Sequence, residues 1–288
     1  DGTVHHDVID KTHGPPRQWA GRGIGYRNLD AYMKRMLSNR SRSMLAETYS
    51  DALADMLQRS SDLSPAWDAT SNPRGFNSES PSRLLSKVAR LIKMRGADGQ
   101  NEREAYFVQL TRFDLHNCFE NCWSFTRNLK ELNKGLKSFV AEMKRQSLWD
   151  KVVVMSTSEF GRTLTPRRTG ADYGWGGNHF VLGGSVAGGQ ILGHYPSDLT
   201  DAGAQIVDSG RVIPTTSWTS VWNAVAGWFG VLPAELDKLL PNRPNFLPDG
   251  LIEPSELFDN MSPPAPPLAP PAPPLAPQPQ PPPPPPPF

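Results

Sequence analysis

Asp114, His116, Glu159 and Arg162 are the side chains best suited to chemistry, because each stands just beyond an apolar run. Residues 152–155 read Val-Val-Val-Met, a short continuous stretch whose β-branched members suit a strand covered on both faces, as in a mainly parallel sheet. Ser156, Thr157, Ser158 and Glu159 follow at once, and Arg162 comes after Gly161. Residues 105–110 (AYFVQL) read as a second strand, with Asp114 and His116 just past its end. Ligands of open α/β sheets gather at the carboxyl ends of strands, so these positions favour a catalytic constellation with Glu159 and Arg162 as catalytic candidates. The alternative is that Glu159 and Arg162 pair with each other and simply hold their loop.

Convergence depends on what joins the two runs. Residues 119–146 carry Phe119, Trp123, Leu129, Leu132, Leu136, Phe139, Val140 and Met143 along one side of a helix. A strand, a helix and a strand in that order make a right-handed βαβ unit, which delivers both polar ends to one sheet edge. Upstream, apolar residues from Leu29 to Leu57 recur at three- and four-residue steps, with an interruption around residues 39–43. Residues 62–80, with Pro65, Pro73 and Gly75, read as a loop, and Ser80 or Ser82 caps the helix that carries Leu84, Leu85, Val88, Leu91 and Ile92. Downstream, residues 181–193 are a glycine-rich turn region without a nucleotide fingerprint. Residues 217–230 form a helix that buries Trp218, Val221, Trp222, Val225 and Trp228. Pro233 opens a last short helix, and the fold ends near Leu257.

Composition sets the outer limits. A chain of 288 residues can bury a sizeable core, and one domain over residues 29–257 is expected, preceded by an extended arm over residues 1–28 and followed by a tail over residues 258–288. Hydrophobic residues make up 38%, a share lowered by the proline-rich end. The net charge of +1 argues against nucleic acid as a partner, and no apolar run reaches bilayer length. The chain starts at Asp1, as a processed or truncated product would, with any targeting segment upstream. His5, His6 and His13 could bind a metal, but histidines in a polar segment without carboxylates are more often solvated. Cys118 and Cys122, four residues apart, share a face of any helix there; they are free thiols or an uncommon short disulfide, and their spacing is not that of a zinc knuckle. Asn39 and Asn260 stand in glycosylation acceptor patterns, which matter only in an exported protein.

Four segments occur in a telling order: SEFGRT at residues 158–163, GADYGWGGNHFVLGG at 170–184, GGQILGHYP at 188–196 and RVIPTTS at 211–217. Together they resemble the carboxyl-terminal half of the exported family called domain of unknown function 1501, which is placed in the alkaline phosphatase and sulfatase superfamily. The resemblance covers roughly residues 43–246. It implies a partial alkaline-phosphatase-like α/β fold with a mainly parallel sheet, and metal ligands at Asp114, His116 and His179 around one zinc ion, with Asp172 or Glu159 beside them. It also exposes departures. The family's Gly-Gly-aromatic-Asp-Thr-His is here Thr111-Arg112-Phe113-Asp114-Leu115-His116, its Gly-x-Asp-His-Gly has Tyr173 for the histidine, and Asn178 stands where a second histidine is frequent. No counterpart of the superfamily's nucleophile strand is recognisable.

The tail is unlike everything before it. Prolines fill 17 of the 26 positions in residues 263–288, with PPAPPLA twice and then seven prolines in a row. Such a segment lacks backbone donors and adopts polyproline II, roughly 80 Å long if straight. Two functional readings follow. One is a non-catalytic, exported, extracellular structural module, a pseudoenzyme whose polyproline rod drives self-assembly or filament formation, with Leu268, Leu275 and Phe288 as apolar contacts. The other is a metal-dependent hydrolase of phosphate or sulfate esters; a Pro-rich binding partner inside the cell is a third.

Overall fold

The computed structural model describes residues 35, 37–39, 41–97, 103–116, 123–166 and 170–259. The amino-terminal arm with His5, His6 and His13, the pair Cys118 and Cys122, Asn260 and the tail with Leu268, Leu275 and Phe288 lie outside the described residues. Asn39 is exposed.

Ser43 is extended and its hydroxyl accepts the Ala46 amide at 3.4 Å, which starts helix α1 (Met44–Ala69). The interruption expected at residues 39–43 is therefore a cap. The helix then runs on through Pro65 where a loop was expected. Trp67 supplies the reason: it is buried with Leu91 and Met94, joined by Leu63 and Ala66, and Arg90 lies 4.2 Å over its ring. Burying a large apolar side chain is worth about 1.5–3 kcal/mol, and with its neighbours this offsets the roughly 3 kcal/mol that an interior proline costs.

Helices α2 (Ser80–Ala97) and α3 (Trp123–Arg145) form the driest layer. They approach closely at Gly135, where a Cβ would stand 3.1 Å from the Ser82 amide nitrogen. Leu85, Ala89, Phe139 and Met143 are buried between them, with Val152 and Val154 packed on the same cluster. After α3 the chain turns through Ser147, at φ 57°, and one 3-10 turn (Trp149–Lys151) into β1 (Val153–Met155). The opposite face of β1 is covered too: Val153 packs with Val181, Val186, Ala224, Ile252, Leu257 and Phe258.

Strand direction departs from expectation. Among the described residues there are three two-stranded ladders, all antiparallel: β1 with β4 (Val181–Gly183), β2 (Gly161–Arg162) with β3 (Tyr173–Gly174), and β5 (Ile206–Val207) with β6 (Arg211–Val212). Residues 105–110, expected as a strand, take no regular structure and join no ladder. In place of a parallel sheet, β1 pairs Val153 with Gly183, Val154 with Leu182 and Met155 with Val181. An all-apolar run reports that both faces of a strand are covered; it does not report the direction of the neighbour. An antiparallel return needs no crossover helix, and the β2–β3 hairpin fills the connection.

Helix α4 (Trp218–Phe229) starts at Ser217, whose hydroxyl accepts the Ser220 amide at 3.1 Å, and ends at Gly230 in the left-handed region, φ 91°. Its buried residues are Ser220, Asn223, Ala224 and Ala226, a face rotated from the tryptophan-rich one that periodicity suggested. The rotation has a polar cause. The Ile252 amide donates to Ser220 Oγ at 2.8 Å, Asn223 Nδ2 donates to the Ile252 carbonyl at 3.0 Å, and Arg243 Nε donates to Asn223 Oδ1 at 2.8 Å. These bonds satisfy an irregular carboxyl-terminal segment that could not otherwise be buried. A 3-10 turn (Pro233–Glu235), α5 (Leu236–Leu239) and α6 (Pro254–Leu257) complete it, and Phe258 bridges back to Val186. No helix among the described residues is long and apolar enough to cross a membrane.

Candidate functional site

Two irregular segments meet at the end of the β2–β3 hairpin. The hairpin is closed by the Thr163 amide donating to the Asp172 carbonyl and the Asp172 amide donating to Thr163 Oγ1, both at 3.0 Å. Residues 111–116 dock on it through the Ala171 amide and the Leu115 carbonyl, 3.2 Å apart. The same segment is held to α3 by Asn128 Nδ2, which donates to the carbonyl of Arg112 at 2.7 Å, and by Phe113 against Phe125 edge-on. Arg112 itself adopts φ 73°, the left-handed conformation a glycine would take without strain.

Arg162 is the hub. One guanidinium nitrogen donates to Asp114 Oδ1 and to the Phe113 carbonyl at 3.4 Å, and the other donates to the Ala171 carbonyl at 2.8 Å. Tyr173, directly opposite Arg162 in the hairpin register, gives its hydroxyl to Asp114 Oδ2 at 3.3 Å. His116 Nε2 lies 3.1 Å from Asp114 Oδ1, and its Nδ1 lies 3.6 Å from Asp172 Oδ1. Rings close the knot: Tyr173 meets His116 at 4.6 Å and Phe160 at 4.4 Å, both edge-on. The hydrogen bond from Arg162 holds the Asp114 carboxyl below its ordinary range, against an opposing effect of burial. Burial first, then the charge of Asp114, pushes the Tyr173 phenol up, so it remains a donor.

The expected residues divide into three groups. Asp114, His116, Asp172 and Arg162 are brought together. Glu159 is exposed and makes no bond to any described residue, so the pairing of Glu159 with Arg162 gives way to Asp114 with Arg162. His179 makes its contacts elsewhere: Nδ1 is 3.4 Å from Ser156 Oγ, and its ring lies 4.5 Å from that of Trp218. Burial lowers its pKa, an effect partly opposed by a hydrogen bond at Ser156. The residues do not fit the zinc ion that the resemblance implies. Both oxygens of Asp114 are already engaged, by a guanidinium and a phenol, and no group of three or more His, Cys, Asp or Glu among the described residues is placed to hold a metal. Sequence reasoning took Tyr173 for a missing ligand and overlooked it as a partner. The clue was its register opposite Arg162, which requires knowing that the hairpin forms.

The family model described as Protein of unknown function (DUF1501) matches residues 27–214, and the chain belongs to that family. Neither the curated proteins nor the solved structures include a match to it.

Proposed function

We propose that this chain is a non-catalytic, exported assembly module, in which Arg162 occupies the place that a metal cation would take beside Asp114. The carrying observation is the Arg162 knot: a fixed protein cation satisfies Asp114, Phe113 and Ala171 together. A guanidinium presents planar donors to oxygen acceptors, but it has no open coordination position for a water or an ester oxygen. The assembly role draws on the Pro-rich tail and on large apolar side chains left exposed, Met44, Leu45, Phe107 and Trp123 among them.

Purified protein is expected to hold less than one equivalent of zinc by elemental analysis and to hydrolyse aryl phosphate and sulfate esters no faster than a His116→Ala, His179→Ala control. Stoichiometric zinc together with hydrolysis lost in that control overturns the proposal in favour of a metal-dependent esterase. Deleting residues 263–288 is expected to leave the fold intact and abolish oligomers seen by light scattering. Unchanged oligomers would refute the assembly role.

A further inference from the structure

We infer that Trp175, Tyr195, Ile213, Trp218 and Trp222 form a docking shelf for the Pro-rich tail of a second copy, so that copies join head to tail. This rests on the assembly reading above and gives it a contact surface.

Three loops converge to build the shelf. The Gly176 amide donates to the Val212 carbonyl at 2.8 Å, which lays the stretch carrying Trp175 against β6. Thr215 Oγ1 donates to the His194 carbonyl, and a Cβ at Gly193 would stand 2.2 Å from Thr216 Oγ1, which brings the Tyr195 stretch beside the chain leading into α4. Trp218 and Trp222, four residues apart, share one face of that helix. Trp175 is 63% exposed, Tyr195 57%, Ile213 40% and Trp222 39%. A cluster of large apolar side chains at a protein surface marks a contact site. Trp218 is half-buried with its ring 4.5 Å from that of His179, so Trp175, Tyr195 and Trp222 are the rings that face outward.

That combination suits a polyproline II strand. Such a strand offers pyrrolidine rings for stacking and carbonyls without competing amide donors, and aromatic-lined grooves recognise it on these terms. The chain carries the ligand itself: residues 263–288 hold 17 prolines and no charged residue, which matches an apolar shelf. The tail leaves from Asp259, whose amide donates to the Ser185 carbonyl at 3.0 Å. In polyproline II, at about 3.1 Å per residue, residues 263–288 would span on the order of 80 Å. That reach is long enough to carry the segment past its own domain to a neighbouring copy, whose shelf receives it. Shelf and tail are different surfaces, and a contact between different surfaces propagates into open chains of copies.

The test is a fluorescein-labelled peptide with the sequence of residues 263–288, added to the full chain and followed by anisotropy, with sedimentation reporting oligomers. Binding is expected, with about tenfold or greater weakening by Trp175→Ala and by Tyr195→Ala, and smaller oligomers in both variants. Trp175→Phe keeps the stacking face without the N–H and is expected to lose less, which separates lost contact from lost folding. Absent binding, or binding unaffected by all three variants, overturns the shelf while leaving the result of the tail deletion to stand. An oligosaccharide bound in place of the peptide overturns it as well. A chain that binds peptide yet stays monomeric at every concentration overturns the contact between copies.

Discussion

The α2–α3 layer and the Arg162 knot share the chain between them, with residues 111–116 in the knot and α3 in the layer, and they are held by opposite means. Between α2 and α3, Ala89, Phe139 and Met143 are sealed from water, and shape complementarity does the work. In the knot the side chain of Asp114 is half exposed, Tyr173 lies at the surface, and directional bonds from one arginine fix the chain. A dry layer loses energy for every missing methylene. A polar knot depends on one hub, and its contributions are weakened by solvent.

The contrast can be broken most forcefully at Phe139. Replacing it with alanine is expected to cost about 3–5 kcal/mol in urea denaturation, and a loss below 1 kcal/mol would mean that the layer is looser than its burial implies. Arg162→Ala is the counterpart in the knot, with a smaller expected loss in the same denaturation, because Asp114 is half exposed and solvent weakens its pairing. It should also change the acid limb. The Asp114 carboxyl is held below its ordinary value of 3.8, so its contribution is complete above that value and is lost as pH falls through the lowered one. In the Arg162→Ala protein that part of the acid dependence should vanish; an unchanged limb would detach Asp114 from Arg162.

His179 sharpens the boundary of the knot. Its imidazole is pushed below the ordinary 6.5 by burial, so an NMR titration should find its midpoint under that value. The stability it lends is present above 6.5 and declines as pH drops toward the lowered midpoint. Trp218→Ala should move the midpoint back up, whereas Arg162→Ala should leave it in place. The smallest expected effect belongs to Glu159→Gln, within about 0.5 kcal/mol, and a larger change would bring Glu159 into the knot.

The two regions were unequally legible. The α2 and α3 periodicities place Leu85, Leu91, Phe139 and Met143 from sequence, because helix neighbours lie three and four residues apart. The apolar run at residues 152–155 announces its two covered faces, but not its antiparallel partner, since Val181 to Gly183 return only after the hairpin has formed. Asp114 and Arg162 are visible as candidates, yet their pairing spans 48 positions and hides behind the nearer choice of Glu159. Local spacing cannot rank such contacts. In α4 the tryptophans drew the apolar face toward themselves, while Ser220 and Asn223, which look like surface residues, are the ones that hold residue 252.

The hairpin's glycines bear on what random mutation could do here. A Cβ at Gly161 would stand 1.9 Å from the Gly176 carbonyl oxygen, one at Gly170 2.2 Å from the Leu115 carbonyl, and one at Gly174 2.9 Å from the Arg162 backbone. In each case the obstacle is main chain, which cannot rotate away as a side chain would. A library covering these positions should therefore admit almost no replacement at the three glycines, not even alanine, while Glu159 and Asn178 a few residues off accept nearly anything. Such a stretch drifts only at its margins, and descendants of this chain would inherit the bare seam of backbone after the chemistry around it had changed.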